Sequence, residues 1–387
     1  MTPTDKTVMG SNLCRVCGGA LFREPLLAFK NMPKAAQHLP DATTVDKDHG
    51  CDLDIFQCSR CGLVQLHNEP VPYWREVIRA TAFSQEMGEF RKEQFKAFVE
   101  QYGLSGKKIV EIGCGKGEYL SLMQDAGARV TGTEFSEASA SHCIHAGMRV
   151  ERLFVEGPEI RLRDAPFDAF FILNFLEHLA DPNSTLQGIS ANLADNAIGL
   201  IEVPNFDMIL KKKLFSEFIA DHLFYFTRET LNALLERNGF EVIETREIWH
   251  DYILSAVVRK RRPIDLSAFR QQQALLKSEL TRFVASFGKK NVAVWGAGHQ
   301  ALAVLALADL GGTIKYVVDS APFKQGRLTP STHIPIVPPE TLTTDPVAAV
   351  LIMAAAYSNE VASIIRKSFG AQIVIAILRD DTLEAVN

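Results

Sequence analysis

The amino-acid sequence predicts an α/β protein in which two doubly wound units follow a small metal-binding lobe. Two Cys-x-x-Cys pairs stand near the start of the chain. Two later segments, residues 107–127 and 290–311, each have the pattern of an apolar strand, a glycine-rich turn and a helix. A chain of 387 residues is long enough for two or three domains. We therefore predict domains at residues 1–75, 76–260 and 261–387.

The amino-acid composition and net charge limit the classes of protein to which this chain can belong. Hydrophobic residues make up 47% of the chain and charged residues 22%, values usual for a globular protein. The formal net charge of −5 gives no support for nucleic-acid binding, and no apolar stretch is long enough to span a membrane. The sequence starts without an apolar leader, and its seven cysteines are an odd number that argues against a disulfide framework. We expect a cytoplasmic protein that acts on a small molecule as a monomer or homodimer.

The two cysteine pairs, "CRVCGGA" and "CSRCGLV", predict one zinc site formed by Cys14, Cys17, Cys58 and Cys61. Zinc favours four thiolates in a tetrahedron, and such a closed site has no open position for a substrate. Its expected role is structural, in a lobe too small for a good core of its own. Cys51 is expected to be a core residue, although it could replace one ligand. The flanking sequence has no basic run with interleaved aromatics, so a nucleic-acid reader is the weaker interpretation.

The second unit begins with "EMGEFRKEQFKAFVEQY", in which Phe90, Phe95 and Phe98 recur at near-helical spacing. The strand and turn "KKIVEIGCGKG" follow, and their glycines let the backbone approach a ligand at the N-terminus of the next helix. A second strand ends in Glu134, where a carboxylate can accept both ribose hydroxyls of a nucleoside. The sequence therefore predicts a nucleoside-binding turn.

This segment resembles the first motif of class I S-adenosylmethionine-dependent methyltransferases. The acidic residue of "EIGCGKG" precedes the first glycine, unlike the dinucleotide fingerprint, and the resemblance extends through "FDAFFILNFLEHLADP" at residues 167–182. It implies a class I methyltransferase Rossmann-like core that binds S-adenosyl-L-methionine. The implied cofactor contacts lie at the glycine turn and at the ends of neighbouring strands, and they are Glu111, Gly113, Gly115, Gly117, Glu134 and Asn174.

A third unit follows the basic segment "RKRRPID" and a glutamine-rich helix. Its strand, turn and helix carry Gly296, Gly298 and Ala301, and the next strand ends in Asp319. These four residues satisfy a Rossmann dinucleotide fingerprint. A nicotinamide-dependent enzyme that uses this unit is therefore an alternative function.

The order of the three modules resembles the sugar C-methyltransferase family. That family combines two Cys-x-x-Cys pairs, a class I methyltransferase core and a Rossmann-like tail with a segment similar to "DSAPFKQGRLTPSTHIPI" at residues 319–336. The resemblance implies methylation of a carbon of a nucleotide-linked deoxy-keto sugar. It also implies that the C-terminal Rossmann-like α/β domain supports the substrate instead of binding a nicotinamide.

Methylation of a carbon beside a ketone requires a base that removes a proton and a group that steadies the enolate oxygen. A histidine of near-neutral pKa suits the base. The segment "FIADHLFYFTRETL" resembles the base-bearing motif of the family, which implies that His222 is the base and Asp221 its orienting or substrate-contacting partner. His178, in "LEHL", is the second candidate for the base, and either histidine could instead be a packing residue. Tyr225 and Asn205 are lesser candidates for polarising an oxygen.

Two departures from the family pattern leave the reaction open. Ile219 stands where the family has a tyrosine, two positions before the acidic residue. The chain also reads "REVIRATAFSQEM", residues 75–87, where the family has a tyrosine-rich segment. Because those phenols would hold a keto-sugar or its enolate, O- or N-methylation of a sugar or another small molecule is a second alternative.

Overall fold

The structure is a computed structural model of the chain. It describes residues 12–35, 37, 39–76, 84–380 and 382–386. The chain divides into two compact units, Met1–Arg262 and Pro263–Asn387. Most of the segment "REVIRATAFSQEM", residues 77–83, lies outside the described residues.

The first unit alternates strands and helices after a strand-rich start. Its strands are β1 (Leu27–Met32), β2 (Cys51–Gln57), β3 (Val64–Leu66), β4 (Lys108–Ile112), β5 (Arg129–Glu134), β6 (Val150–Arg152), β7 (Phe167–Leu173), β8 (Leu193–Pro204), β9 (Phe224–Tyr225), β10 (Phe240–Ile248) and β11 (Ile253–Lys260). Its helices are α1 (Gln85–Gln101), α2 (Glu118–Asp125), α3 (Glu137–His145), α4 (Pro182–Ala191), α5 (Phe206–Lys212) and α6 (Arg228–Arg237). Single 3-10 turns lie at Val45–Lys47, Trp74–Glu76, Leu176–His178 and Phe215–Glu217.

A four-stranded antiparallel sheet carries the cysteine lobe, which we define as residues 12–76. The strand order is β1-β2-β3-β9. In β2, Leu53 and Ile55 are buried and their neighbours are not, the alternation typical of a strand with one buried face. Val64 of β3 pairs with Tyr225 of β9. The cysteine lobe therefore shares a sheet with the segment that directly follows His222.

A seven-stranded sheet forms the centre of the first unit. Its order is β10-β11-β8-β7-β4-β5-β6, and the strands from β8 to β6 run parallel to one another. β11 runs antiparallel to both of its neighbours. The central strands β4 and β7 are buried along almost their whole length, as expected of parallel strands that are covered on both faces. This order, with one reversed strand, is that of the class I methyltransferases and confirms the predicted fold class. The chain order reverses between β4 and β7, the point at which ligands bind in open α/β sheets.

Specific contacts fix α1 on this sheet. The Ser84 side chain caps its N-terminus by accepting the N–H of Met87. Phe95 and Phe98 are buried, as the near-helical spacing predicts. Arg91 of α1 forms a fully buried ion pair with Glu202 of β8, with nitrogen and oxygen 2.5 Å apart.

The second unit contains a mostly parallel sheet of order β14-β13-β12-β15-β16-β17, in which only the last pair is antiparallel among the described strands. Its strands are β12 (Val292–Trp295), β13 (Val317–Val318), β14 (Ile336–Val337), β15 (Ala349–Ile352), β16 (Val374–Arg379) and β17 (Thr382–Val386). Its helices are α7 (Ser267–Ser286), α8 (His299–Leu307), α9 (Thr341–Thr344) and α10 (Ser358–Ser368), with a 3-10 turn at Ala355–Tyr357. The described helices of the whole chain include none that is both apolar enough and long enough to cross a membrane.

Candidate functional site

The glycine turn after β4 has a left-handed backbone that glycine adopts readily. Gly113, Gly115 and Gly117 have φ angles of 74°, 55° and 85°. An added Cβ at Gly113 would lie 2.9 Å from the ring of Phe175, and one at Gly117 would lie 2.4 Å from the sulfur of Met148. An added Cβ at Gly115 would meet none of the described atoms within 4 Å. The turn is therefore tightly packed at its ends and open at its centre, which suits close approach of a ligand to the backbone.

Glu134 connects the end of β5 to this turn. One of its carboxylate oxygens accepts the N–H of Gly115 at 2.9 Å, and the other accepts the N–H of Ser136 at 2.8 Å. Burial raises the pKa of Glu134, and the two N–H donors act against that rise. Each oxygen has a second lone pair for a ligand hydroxyl. The carboxylate can therefore bind a ribose while it also shapes the glycine turn.

Aromatic rings line the cleft beside Glu134. The ring centroid of Phe154 lies 6.5 Å from that of Phe135 and 6.2 Å from that of Phe175, and all three residues line the cleft. Trp74, from the cysteine lobe, meets Phe154 edge to face at 5.1 Å. Flat apolar walls beside a carboxylate suit the base and ribose of a nucleoside.

Glu111 and Asn174 lie at the ends of the adjacent strands β4 and β7. The side chain of Glu111 is buried. Asn174 has a left-handed φ of 50° and donates its N–H to the carbonyl of Glu202 at 2.8 Å. Both residues therefore lie at the edge of the sheet where the chain order reverses and ligands bind.

His178 ends the 3-10 turn after β7 and is buried. Its Nδ1 lies 2.8 Å from the carbonyl oxygen of Asp221. A carbonyl can only accept, so Nδ1 carries the hydrogen and Nε2 has the free lone pair. Burial lowers the pKa of His178 to about 4, which keeps the imidazole neutral at pH 7. Its ring lies 6.5 Å from that of Phe175, the residue that covers Gly113, so His178 adjoins the glycine turn.

His222 lies against His178. The two ring centroids are 4.7 Å apart in an edge-to-face arrangement. Burial, and after it the neighbouring His178, lower the pKa of His222 well below its ordinary value. One polar atom from each of Glu177, His178 and His222 lies within 4.8 Å of the others. The structure thus brings together the two histidines that the sequence offers as alternative bases, and it adds a carboxyl group to them.

The buried carboxylate of Asp221 faces the cysteine lobe. The hydroxyl of Tyr73 lies 3.1 and 3.0 Å from its two oxygens and donates to them. The chain therefore has a phenol at this carboxylate although Ile219 stands where the family has a tyrosine.

Tyr225 and Asn205 have structural partners. The hydroxyl of Tyr225 accepts the N–H of Ile219 at 3.2 Å, and burial raises the pKa of this phenol. Its ring centroid lies 6.5 Å from that of His222. The Asn205 side chain caps α5 and donates to the carbonyl of Asp251 at 2.7 Å. Tyr225 is thus a neighbour of the histidine pair, whereas the amide of Asn205 is used in the cap and the adjoining loop.

An apolar cavity of about 380 Å³ lies next to Asp221. Its walls come from β1 and from the segment after α5, and they include Phe29, Met32, Phe218 and Ile219. The rings of Phe29 and Phe218 lie 5.8 Å apart. A mostly apolar cavity with few polar groups is typical of a small-molecule site.

The four cysteines of the two pairs form one cluster. The sulfurs of Cys14 and Cys61 are 3.7 Å apart, and those of Cys17 and Cys58 are 3.5 Å apart. Tetrahedral zinc with bonds of about 2.3 Å would hold its sulfurs about 3.8 Å apart, whereas a disulfide needs about 2.05 Å. Backbone N–H groups point at the sulfurs of Cys17 and Cys58. The cluster therefore fits one tetrahedral metal ion, and Cys51 is not among the described residues that form it.

Comparison with known proteins now identifies the family. The family model described as "Methyltransferase domain" matches residues 87–245, and that described as "C-methyltransferase C-terminal domain" matches residues 261–377. The C-methyltransferase NovU of Streptomyces niveus is 27% identical over 365 residues, which cover 84% of this chain and 86% of NovU. The chain is an S-adenosylmethionine-dependent methyltransferase, and it is similar to a C-methyltransferase along most of its length.

Two further proteins are similar to only part of this chain. A probable S-adenosylmethionine-dependent methyltransferase of Mycolicibacterium smegmatis is 30% identical over 151 residues, 38% of this chain and 56% of that protein. The solved structure of the plantazolicin methyltransferase BpumL with S-adenosylhomocysteine has a TM-score of 0.36 and 16% identity, covering 46% of this chain and 86% of that one.

In this methyltransferase, Asp319 of the second unit binds groups of its own chain. Its carboxylate accepts the N–H groups of Ala297 and Ala321 and lies 2.9 Å from Nζ of Lys324. An added Cβ at Gly296 would lie 2.6 Å from the carbonyl oxygen of Met353, so this glycine permits close packing of the backbone. These contacts give local structural reasons for residues that also satisfy a dinucleotide fingerprint.

Sequence reasoning missed three neighbours of the predicted site. Glu177 stands in the quoted "LEHL", and its adjacency to His178 was the available signal. Phe175 lies in the same segment and contacts Gly113. Tyr73 had no sequence signal, because it lies 148 positions from Asp221 along the chain.

Proposed function

We propose that this enzyme transfers a methyl group from S-adenosyl-L-methionine to a carbon of a nucleotide-linked deoxy-keto sugar. The alignment with NovU along most of both chains and the match to a C-methyltransferase C-terminal domain support carbon as the acceptor atom. The observation that carries the proposal is the pair of neutral imidazoles beside the glycine turn, the buried His178 and the half-buried His222. A carbon acid needs such a base, whereas an oxygen or nitrogen nucleophile can often react by positioning alone.

The cofactor site in this proposal is the cleft at the point where the chain order reverses. The turn fits the cofactor because the backbone is open at Gly115 and the Glu134 carboxylate faces that opening. Bound S-adenosylmethionine supplies an electrophilic methyl group. The proposed contacts are Glu111, Gly113, Gly115, Gly117, Glu134 and Asn174.

The proposed base is His222, with His178 as the second candidate. Both imidazoles are neutral at pH 7 and can accept a proton from the acceptor carbon. Asp221 orients the pair because its carbonyl fixes the tautomer of His178. Tyr225 lies close enough to His222 to contact an acceptor held there. The apolar cavity beside Asp221 suits the deoxygenated part of a small-molecule acceptor.

We further propose that the four-cysteine cluster binds one structural zinc ion. The sulfur separations and the backbone N–H groups that face the sulfurs support zinc thiolates. The described cysteines are all free, which is consistent with the proposed cytoplasmic location.

Mass spectrometry of nucleotide sugars incubated with enzyme and S-adenosylmethionine tests the proposal. A gain of one methyl group, located on carbon by NMR, is the expected result. Calorimetric titration with S-adenosylmethionine and NAD tests the nicotinamide alternative, for which the ion pair of Asp319 with Lys324 gives no support. A methyl group found on oxygen or nitrogen would overturn the choice of acceptor atom and leave the cofactor site intact.

A further inference from the structure

Glu177 is a buried carboxyl group with an unused oxygen. Its side chain is 1% exposed, and Oε2 has no hydrogen-bond partner among the described residues. Its other oxygen, Oε1, lies 3.8 Å from Nε2 of His178. An ionised carboxylate in such surroundings is costly, whereas the protonated form is not. Burial accordingly raises the pKa of Glu177 to about 8, so the group holds a proton at neutral pH.

The facing nitrogen of His178 can receive that proton. Its Nδ1–H donates to the carbonyl of Asp221, which leaves the lone pair on Nε2, the atom nearest to Glu177. His222 belongs to the same cluster: one of its ring nitrogens lies within 4.8 Å of a carboxylate oxygen of Glu177 and of a ring nitrogen of His178. The cluster therefore contains one proton donor and two neutral acceptors close together, with Glu177 and His178 buried and His222 half-buried.

We propose that Glu177 is a positioning residue that lends its proton, through His178, to the ketone oxygen of the acceptor while His222 removes the proton from the neighbouring carbon. This inference rests on the proposed function, because it assumes a carbon acceptor beside a ketone. The two histidines then have different roles: His178 passes a proton to the ketone oxygen, and His222 is the general base that removes the proton from carbon. A protonated carboxyl kept neutral by an apolar site is a known way to stabilise an enolate.

The protons and charges balance within the cluster. The acceptor C–H bond breaks, its proton moves to an imidazole nitrogen of His222, and the electron pair becomes the enol double bond. The proton of Glu177 passes to Nε2 of His178, and the same Nε2–H donates it to the ketone oxygen, because Nδ1–H stays bonded to the carbonyl of Asp221. The result is an imidazolium at His222 and a carboxylate at Glu177, which attract each other at short range. When the carbon has been methylated and the ketone re-forms, the oxygen proton returns to Glu177 and His222 releases its proton to solvent.

Several other titratable groups lie near this cluster. Asp221 contacts His178 through its backbone and Tyr73 through its carboxylate. Tyr252, from the turn between β10 and β11, interacts electrostatically with Glu177 and donates to Glu217. The phenols are neutral at pH 7, and burial is the cause that favours the protonated form of Glu177.

The test uses Glu177→Gln in the full-length enzyme, with the exposed Glu236→Gln as the matched control. Turnover of the nucleotide-linked keto sugar found by the mass-spectrometric screen is measured from pH 6 to 10. In the parent and the control, kcat should fall as pH rises through about 8, because Glu177 then loses the proton that it lends. In Glu177→Gln, kcat should be lower by at least about tenfold and the fall near pH 8 should disappear, with KM and cofactor affinity unchanged. Glu177→Asp should restore part of the rate together with the fall at alkaline pH.

A second measurement needs no acceptor. The infrared spectrum of the parent at pH 7 minus that of Glu177→Gln should contain the carbonyl band of one protonated carboxyl group. A carboxylate band instead, or a kcat in Glu177→Gln that keeps the parent's pH profile, overturns the inference. A second metal ion per chain that is lost in Glu177→Gln also overturns it, since the cluster would then be a cation site. If His222→Gln loses turnover but Glu177→Gln does not, the inference fails while the proposed function stands. If no keto sugar is methylated at all, the proposed function fails, and the infrared spectrum still tests whether Glu177 is protonated.

Discussion

The phenol hydroxyl of Tyr73 lies 3.0 and 3.1 Å from the two carboxylate oxygens of Asp221. Tyr73 belongs to the cysteine lobe, and the carbonyl of Asp221 holds Nδ1 of His178. The lobe that carries the cysteine cluster therefore supports the segment that orients the histidine pair. A structural lobe can in this way affect turnover without contacting the acceptor.

Tyr73→Phe should reduce turnover by about tenfold and leave the affinity for S-adenosylhomocysteine unchanged. The change removes one hydrogen bond to a buried carboxylate, and a loss of about 1.5 kcal/mol corresponds to about tenfold. Steady-state rates and calorimetric titration measure the two effects. Tyr357→Phe, at an exposed position of the second unit, is the control and should behave as the parent. Equal turnover in Tyr73→Phe and parent would show that this bond does not support the reaction.

Cys58→Ser should abolish metal binding and lower the melting temperature. Four thiolates close the cluster, and a missing ligand removes folding free energy that the metal supplies. Elemental analysis should find one zinc per chain in the parent and none in the variant, and correctly folded variant should still bind cofactor. Cys51→Ser is the matched control, because Cys51 lies outside the cluster, and it should keep its zinc. Parent enzyme purified without zinc would contradict the assignment.

The fold could be predicted because its signals are local. The glycine turn needs residues that tolerate positive φ, and Gly113, Gly115 and Gly117 all have it. The strand that leads to Glu134 and the one that leads to Asp319 were predicted from the sequence, and both exist as β5 and β13. The pairing of β3 with β9 could not be predicted, because short strands far apart in sequence give no pattern that specifies their partner.

The candidate site could be predicted only in part for the same reason. The proximity of His178 and His222 depends on a loop that brings Asp221 to the turn after β7. The sequence motifs indicated His178 and His222 as two alternative bases. In the structure the two rings are neighbours. No pattern in the sequence shows that Glu177 is buried, because its burial depends on the tertiary fold.

Glu134→Ala should weaken binding of S-adenosylhomocysteine by roughly thirty- to a hundredfold. A carboxylate that accepts two ribose hydroxyls contributes on the order of 2 to 3 kcal/mol, and the variant also leaves the N–H of Gly115 without its acceptor. Calorimetric titration gives the dissociation constants. Glu137→Ala, three residues along the chain and exposed, is the control and should bind as the parent does. If Glu134→Ala binds as tightly as the parent, the ribose lies elsewhere.

The base assignment is the sharpest test of the catalytic proposal. His222 is half-buried and neutral at pH 7, adjoins His178, and follows the carboxylate that Tyr73 binds. His222→Gln should keep the fold and the affinity for S-adenosylhomocysteine but lower turnover by about a hundredfold or more, the usual contribution of a general base. Because a base acts on the chemical step, the loss should appear in kcat and not in KM. His178→Gln distinguishes the two imidazoles. If His222→Gln keeps near-parental turnover and His178→Gln abolishes it, His178 is the base. If both variants remain active, no carbon-acid base is needed, and the methyl group goes to an oxygen or nitrogen that is already nucleophilic.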